Sequence, residues 1–182
     1  ERASGKPARV LVSNIEHPCS LLPARALAAE GFVVEELAAD AAGVVRTAAL
    51  VNRLGDDVAL VSLHWANNEL GSLLPLADLV QATRQHAPHA CFHTDAVQAA
   101  GKRSESFDSL GADSIAIAAH KFGGLRGCAA LFLRDGSPEP QAMSLGGGHE
   151  GGLRSGTENV MGAVAMAAAA KHRAESLRSE PR

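Results

Sequence analysis

Apolar residues in this chain come in short bursts divided by polar loops and helical stripes. Arg9 to Ser13 is a brief apolar run with β-branched Val10 and Val12, which reads as a buried strand. The loop Asn14 to Cys19 holds Glu16-His17-Pro18. A helix is expected from about Leu21 to Glu30, stopped by Gly31. Phe32 to Leu37 alternates as a strand, and Arg46 to Leu54 fits a short helix closed by Gly55. Val58 to Leu63 is a further buried strand that runs into the polar loop Ala66-Asn67-Asn68-Glu69-Leu70-Gly71. Pro75 suits the first turn of the next helix, where Leu76, Leu79, Val80 and Thr83 fall on one face. Cys91-Phe92-His93 returns as a strand and ends at Asp95. Ser114 to Ala118 is another strand, ending at His120-Lys121, and Cys128 to Leu133 is the last. A glycine-rich loop, Gly146 to Gly156, precedes an alanine-rich helix from about Glu158 to Leu177.

Strand and helix alternate at the spacing of βαβ units, which predicts an α/β fold with a mostly parallel sheet. There is no internal repeat and no low-complexity linker. Most polar clusters fall just past strand C-termini, the edge at which open α/β sheets bind ligands.

Composition narrows the function classes. A length of 182 residues predicts one domain with a sizeable core, and an apolar fraction of 46% excludes disorder. Aromatics make up 3% and tyrosine is absent, which argues against a stacking platform for single-stranded nucleic acid. The net charge of −3, without a dense Lys/Arg run, gives no electrostatic footprint for DNA. No apolar run reaches the length of a membrane span, and no signal peptide is visible. Cys19, Cys91 and Cys128 are odd in number and widely spaced, without metal-ligand spacing. Free thiols in a reducing compartment, the cytoplasm, are expected. The chain begins with Glu1 and enters a core strand almost at once, so a fragment of a longer protein is expected.

Candidate chemistry sits in five clusters. Lys121 follows a strand; a buried amine there would lose its proton readily and serve as a Schiff-base lysine for pyridoxal phosphate (PLP), or it is simply a solvated lysine. Asp95, followed by Gln98, can keep a pyridine nitrogen protonated, or it caps a helix that starts near Ala96. His17 can stack on a cofactor ring and exchange protons, or it is a loop histidine without a role. Asn67-Asn68-Glu69 can present an amide to a phenolate-like oxygen, or it forms a turn. The run from Gly146 to Thr157 can bring backbone amides to a phosphate at a helix start, or it is a flexible loop; it lacks the Gly-Lys-Ser/Thr of a Walker loop.

Taken in order, these clusters resemble the cysteine desulfurases, PLP enzymes of the class V aminotransferase family. The resemblance rests on Glu16-His17, Ala66 to Gly71, Asp95 to Gln98, His120-Lys121 and the run Gly146 to Asn159, and it spans nearly the whole chain. It implies a three-layer α/β sandwich, the large domain of fold-type I PLP transferases, incomplete over residues 1–182. Lys121 would carry the cofactor, Asp95 would face its pyridine nitrogen and His17 would stack on its ring. Asn68 and Gln98 would contact the phenolic-oxygen side, and His120 would help bind the phosphate. Thr157 would reach the phosphate of the neighbouring subunit in a homodimer. The implied reaction converts L-cysteine to L-alanine and leaves a persulfide on an enzyme cysteine for iron–sulfur assembly, with a scaffold protein as sulfur acceptor. Lys121 and His17 would be the catalytic pair.

Departures from the family pattern bear on activity. Ala118 stands where the family usually has a serine, and Gly124-Leu125-Arg126-Gly127 replaces a Gly-Pro-Lys-Gly segment. The family's upstream Gly-Ala-Thr turn, its nucleophilic cysteine loop and its small C-terminal domain have no counterpart in these residues. The chain is therefore expected to be the PLP-bearing middle of a desulfurase with little activity by itself. A selenocysteine lyase-like enzyme and a non-catalytic α/β scaffold are the competing expectations.

Overall fold

The computed structural model describes residues 7–179, so the outermost ends of the expected 1–182 domain lie outside the described residues. Its centre is a six-stranded sheet ordered β2-β1-β3-β4-β5-β6. The strands are β1 (Arg9–Ser13), β2 (Val33–Leu37), β3 (Val58–Ser62), β4 (Cys91–Asp95), β5 (Ser114–Ala118) and β6 (Ala129–Leu133). The first five run parallel, with Leu11 beside Val61 and Val61 beside Phe92 across the ladder. Val10, Leu11 and Val12 are all buried, as expected of a strand covered on both faces. Strand β6 pairs antiparallel with β5, Ile115 opposite Phe132. The link between them contains only a short turn, too little for a parallel crossover.

Helices flank the sheet as the α/β pattern predicts. Leu11, Val61, Phe92 and Ile115 face a large core shared with Leu50 of α2 (Thr47–Val51), Leu76 and Leu79 of α3 (Leu76–His86) and Leu110 of α4 (Phe107–Leu110). Val12, on the opposite face, packs with Leu21 and Ala24 of α1 (Pro18–Ala26). The long helix α5 (Val160–Ser179) packs against the turn at Ala119–Lys121, and Arg173 Nε donates to the Gly101 carbonyl at 2.7 Å. Among the described residues, no helix is long and apolar enough to cross a membrane.

Boundaries shift where local hydrogen bonding overrides pattern. Helix α1 begins at Pro18, earlier than the expected Leu21, because the His17 side chain accepts the Cys19 amide and Pro18 fits the first turn. Its last residues tighten into a 3-10 turn (Leu27–Glu30), closed by Gly31 in the left-handed region at φ 91°. Pro75 caps α3 from outside its first turn. The short helix α4, capped by Ser106, is too brief to show a periodicity in the sequence.

Candidate active site

Because β1, β3, β4 and β5 are parallel, their C-terminal ends open on one edge of the sheet. A cavity of about 290 Å³ lies there. Six residues singled out from the sequence line it: His17, Asn68, Asp95, Gln98, His120 and Lys121. They come from four strand exits and are brought together by the fold alone. The volume lies near the lower limit of small-molecule pockets, about 300 Å³.

Each side chain is presented by a definite local device. His17 caps α1, and its Nδ1 accepts the Cys19 amide at 3.2 Å, which leaves the neutral ring's proton on Nε2. Asp95 closes β4; its Oδ1 accepts the Val97 amide at 2.9 Å, and the same carboxylate lines the cavity. The residues after Asp95 form a turn and not the helix expected from Ala96, so Asp95 caps a turn, which is compatible with its facing a cofactor. Gln98 sits on the turn that Asp95 caps; its Oε1 accepts from Lys102 Nζ at 2.9 Å, leaving the amide N–H groups to donate.

The two adjacent asparagines divide their work. Asn67 is buried and spends its side chain on the loop: Nδ2 donates to the Ile15 carbonyl at 2.9 Å, and Oδ1 accepts from the Glu69 and Leu70 amides. That bonding ties the β3 exit to the β1 exit and leaves Asn68 exposed in the cavity wall. The turn and the ligand-facing amide are thus two residues.

Lys121 differs from expectation in its surroundings. It is exposed, on a 3-10 turn (Ala119–Lys121) beyond β5, and does not end a buried strand. The expected buried amine is therefore not what the fold provides. The turn folds back tightly: the Phe122 and Gly124 amides both donate to the Ala119 carbonyl. A Cβ at Gly124 would stand 2.7 Å from Ala119 Cβ, so glycine permits the close return. Ala118 also lines the cavity, so the wall lacks a hydroxyl at that point.

Thr157 lies apart, exposed on the loop before α5 and outside the cavity lining. In that loop His149 Nδ1 donates to Glu158 Oε1 at 2.6 Å, and Glu150 takes a positive φ of 51°.

Two cavity residues escaped sequence reasoning, Cys19 and His64. Cys19 Sγ lies 3.9 Å from Asp95 Oδ2. His64 is buried and joined to Glu16: one carboxylate oxygen, Oε1, accepts the Ser13 hydroxyl at 2.7 Å, the His64 amide at 2.8 Å and His64 Nδ1–H at 2.7 Å. Glu16 Oε2 and His64 Nε2 are buried without a partner. The signal available was a charged residue and a histidine each adjoining an apolar strand. Nearby, burial holds the His93 imidazole below its usual pKa, against the opposing pull of Asp95 and Glu16. Its Nδ1 lies 2.8 Å from the Ser114 hydroxyl.

Comparison with known proteins places this architecture. Residues 1–180 match the family described as Aminotransferase class-V. A cysteine desulfurase of Bradyrhizobium diazoefficiens is 39% identical over 171 residues, 94% of this chain and 43% of that protein. One from Enterobacter agglomerans is 37% identical over 88% of this chain and 39% of its own length. Among solved structures, a NifS-like protein superposes with a TM-score of 0.91 at 35% identity, covering 97% of this chain and 48% of its own. DndA from Streptomyces lividans gives a TM-score of 0.85 at 34% identity, covering 94% and 49% respectively. The chain spans less than half the length of each of these relatives. With the family match, the parallel sheet and the superposition in agreement, this chain belongs to the class-V aminotransferases.

Proposed function

We infer that this chain carries the pyridoxal phosphate-binding part of a cysteine desulfurase. The observation that carries the reading is the convergence of His17, Asn68, Asp95, Gln98, His120 and Lys121 on one cavity. The donor set suits that cofactor: an amine for its aldehyde, a carboxylate for its ring nitrogen, amides for its phenolic oxygen and an imidazole for its phosphate. Similarity to proteins named cysteine desulfurase supports L-cysteine as the substrate.

When bound, pyridoxal phosphate supplies a ring that draws electrons from the substrate Cα. The chain's own residues do the rest. Asp95 would hold the proton on the ring nitrogen, and its bond to the Val97 amide fixes that carboxylate in place. His17, with its proton on Nε2, would stack on the ring and be free to exchange that proton. Asn68 and Gln98 would donate to the phenolic oxygen and limit its basicity. Lys121 Nζ would hold the cofactor and would move protons to and from the substrate. The product sulfur would be a persulfide for iron–sulfur assembly, passed to an acceptor protein.

A homodimer is part of this proposal. Leu145, Val160, Met161 and Val164, on the glycine-rich loop and α5, are each more than 60% exposed, an apolar surface that suits a second copy. Thr157 on the same loop would then serve the partner's phosphate.

Titration of the purified chain with pyridoxal phosphate tests the reading. The expected result is a new visible absorbance band and, after borohydride, a covalent mass increase, both lost in Lys121→Ala. Absence of either in the wild type would favour the non-catalytic scaffold, which Ala118 in the cavity wall already motivates.

A further inference from the structure

We propose that His64 is a further cofactor-contacting residue of this pocket and that Glu16 and Ser13 position it. The proposal rests on the pyridoxal phosphate reading above. His64 leaves β3 on the strand exit that also carries Asn68, and it lines the cavity with its ring buried. An ionised carboxylate only accepts hydrogen bonds, so the 2.7 Å contact to Glu16 Oε1 puts a proton on Nδ1. The backbone amide of His64 donates to the same oxygen at 2.8 Å, so ring and main chain are clamped together. Ser13 Oγ donates to it as well and holds Glu16 from the β1 side.

Every polar atom of His64 that faces Glu16 is therefore used, and Nε2 is left buried without a partner. A buried polar atom without a partner is costly, and native proteins rarely leave one without a use. Nε2 is also the ring nitrogen that the Glu16 clamp leaves unengaged, on a side chain that lines the cavity. His64 and Asn68 share a strand exit, so both meet the same side of that occupant. In this tautomer Nε2 accepts, so we assign it a hydrogen bond from the phenolic O–H of the cofactor, on the Asn68 side. Glu16 acts only through His64 and is a positioning residue.

Two amide substitutions separate this role from simple buttressing. His64→Asn places an amide where Nδ1 stands, keeping the Glu16 bond and removing Nε2. His64→Gln places one where Nε2 stands. The expected result is a wild-type melting curve for His64→Asn with affinity for pyridoxal phosphate weakened about three- to tenfold. His64→Gln is expected to melt earlier and to retain more of the affinity. Full affinity in a folded His64→Asn would overturn the contact. In the wild-type chain, labelled with 15N-histidine, the Nε2 resonance of His64 is expected to shift on adding pyridoxal phosphate; an unmoved resonance at saturation would overturn it even if the variants fail to fold. If the wild type itself does not bind, this proposal falls with the functional reading. Binding by the wild type with an unmoved resonance removes this proposal alone.

Discussion

Cys19 Sγ and Asp95 Oδ2, 76 residues apart in sequence, lie 3.9 Å from each other in the cavity wall. The contact joins the first turn of α1 to the end of β4. It also puts a thiol against the carboxylate proposed to face the cofactor ring nitrogen.

Modification of the thiols should therefore report on the pocket. Cys19 is exposed, whereas burial and the charge of Asp113 push the Cys91 thiol up to about 11. At pH 8 only about one Cys91 in a thousand is thiolate. Iodoacetamide is expected to label Cys19 before Cys91, and saturating pyridoxal phosphate is expected to slow Cys19 labelling. Peptide mass mapping over a time course decides; a Cys19 rate unaffected by bound cofactor would separate the thiol from the binding site.

Asp95→Asn keeps an oxygen for the Val97 amide and removes the charge. Thermal stability should change by less than about 1 kcal/mol, since the cap survives. Affinity for pyridoxal phosphate should fall about tenfold or more, the scale of a lost hydrogen bond to a charged group. Calorimetric titration of both forms tests the difference.

The adjacent asparagines should behave oppositely. Asn67→Ala strips partners from the Ile15 carbonyl and the Glu69 and Leu70 amides, and is expected to cost about 2–3 kcal/mol of stability. Asn68→Ala removes an exposed side chain, so the denaturation midpoint should hold while cofactor affinity drops. Urea denaturation beside cofactor titration would reveal a reversal of roles.

His93 should make the fold sensitive to mild acid. Its folded pKa lies below the ordinary 6.5, chiefly through burial, with Asp95 and Glu16 opposing. Between that lowered value and 6.5 the unfolded chain binds more protons at this site than the folded one, so stability rises with pH across the window and falls as pH drops through it. His93→Gln, which can still bond the Ser114 hydroxyl, is expected to flatten the dependence of melting temperature on pH between 6.5 and the lowered value. An unchanged slope would place the titration elsewhere.

Much of this protein was legible in the chain alone. The runs around Val10–Val12, Val58–Leu63 and Ser114–Ala118 mark buried strands because a strand covered on both faces must be apolar throughout. The polar clusters at His17, Asn68, Asp95 and Lys121 stand out because each interrupts such a run at its C-terminal end. Parallel order then implies that they meet on one edge, which they do.

What the chain could not specify were relations across strands. The Glu16–His64 bond spans 48 residues, and neither residue has a spacing that announces it. Which of Asn67 and Asn68 is structural depends on the Ile15 carbonyl, a main-chain group without a sequence signature. The exposure of Lys121 follows from a turn closed by Gly124 against Ala119. Periodicity records which face of an element is buried. It carries no record of the neighbour, because side-chain hydrogen bonds and burial are decided only when separate segments pack together.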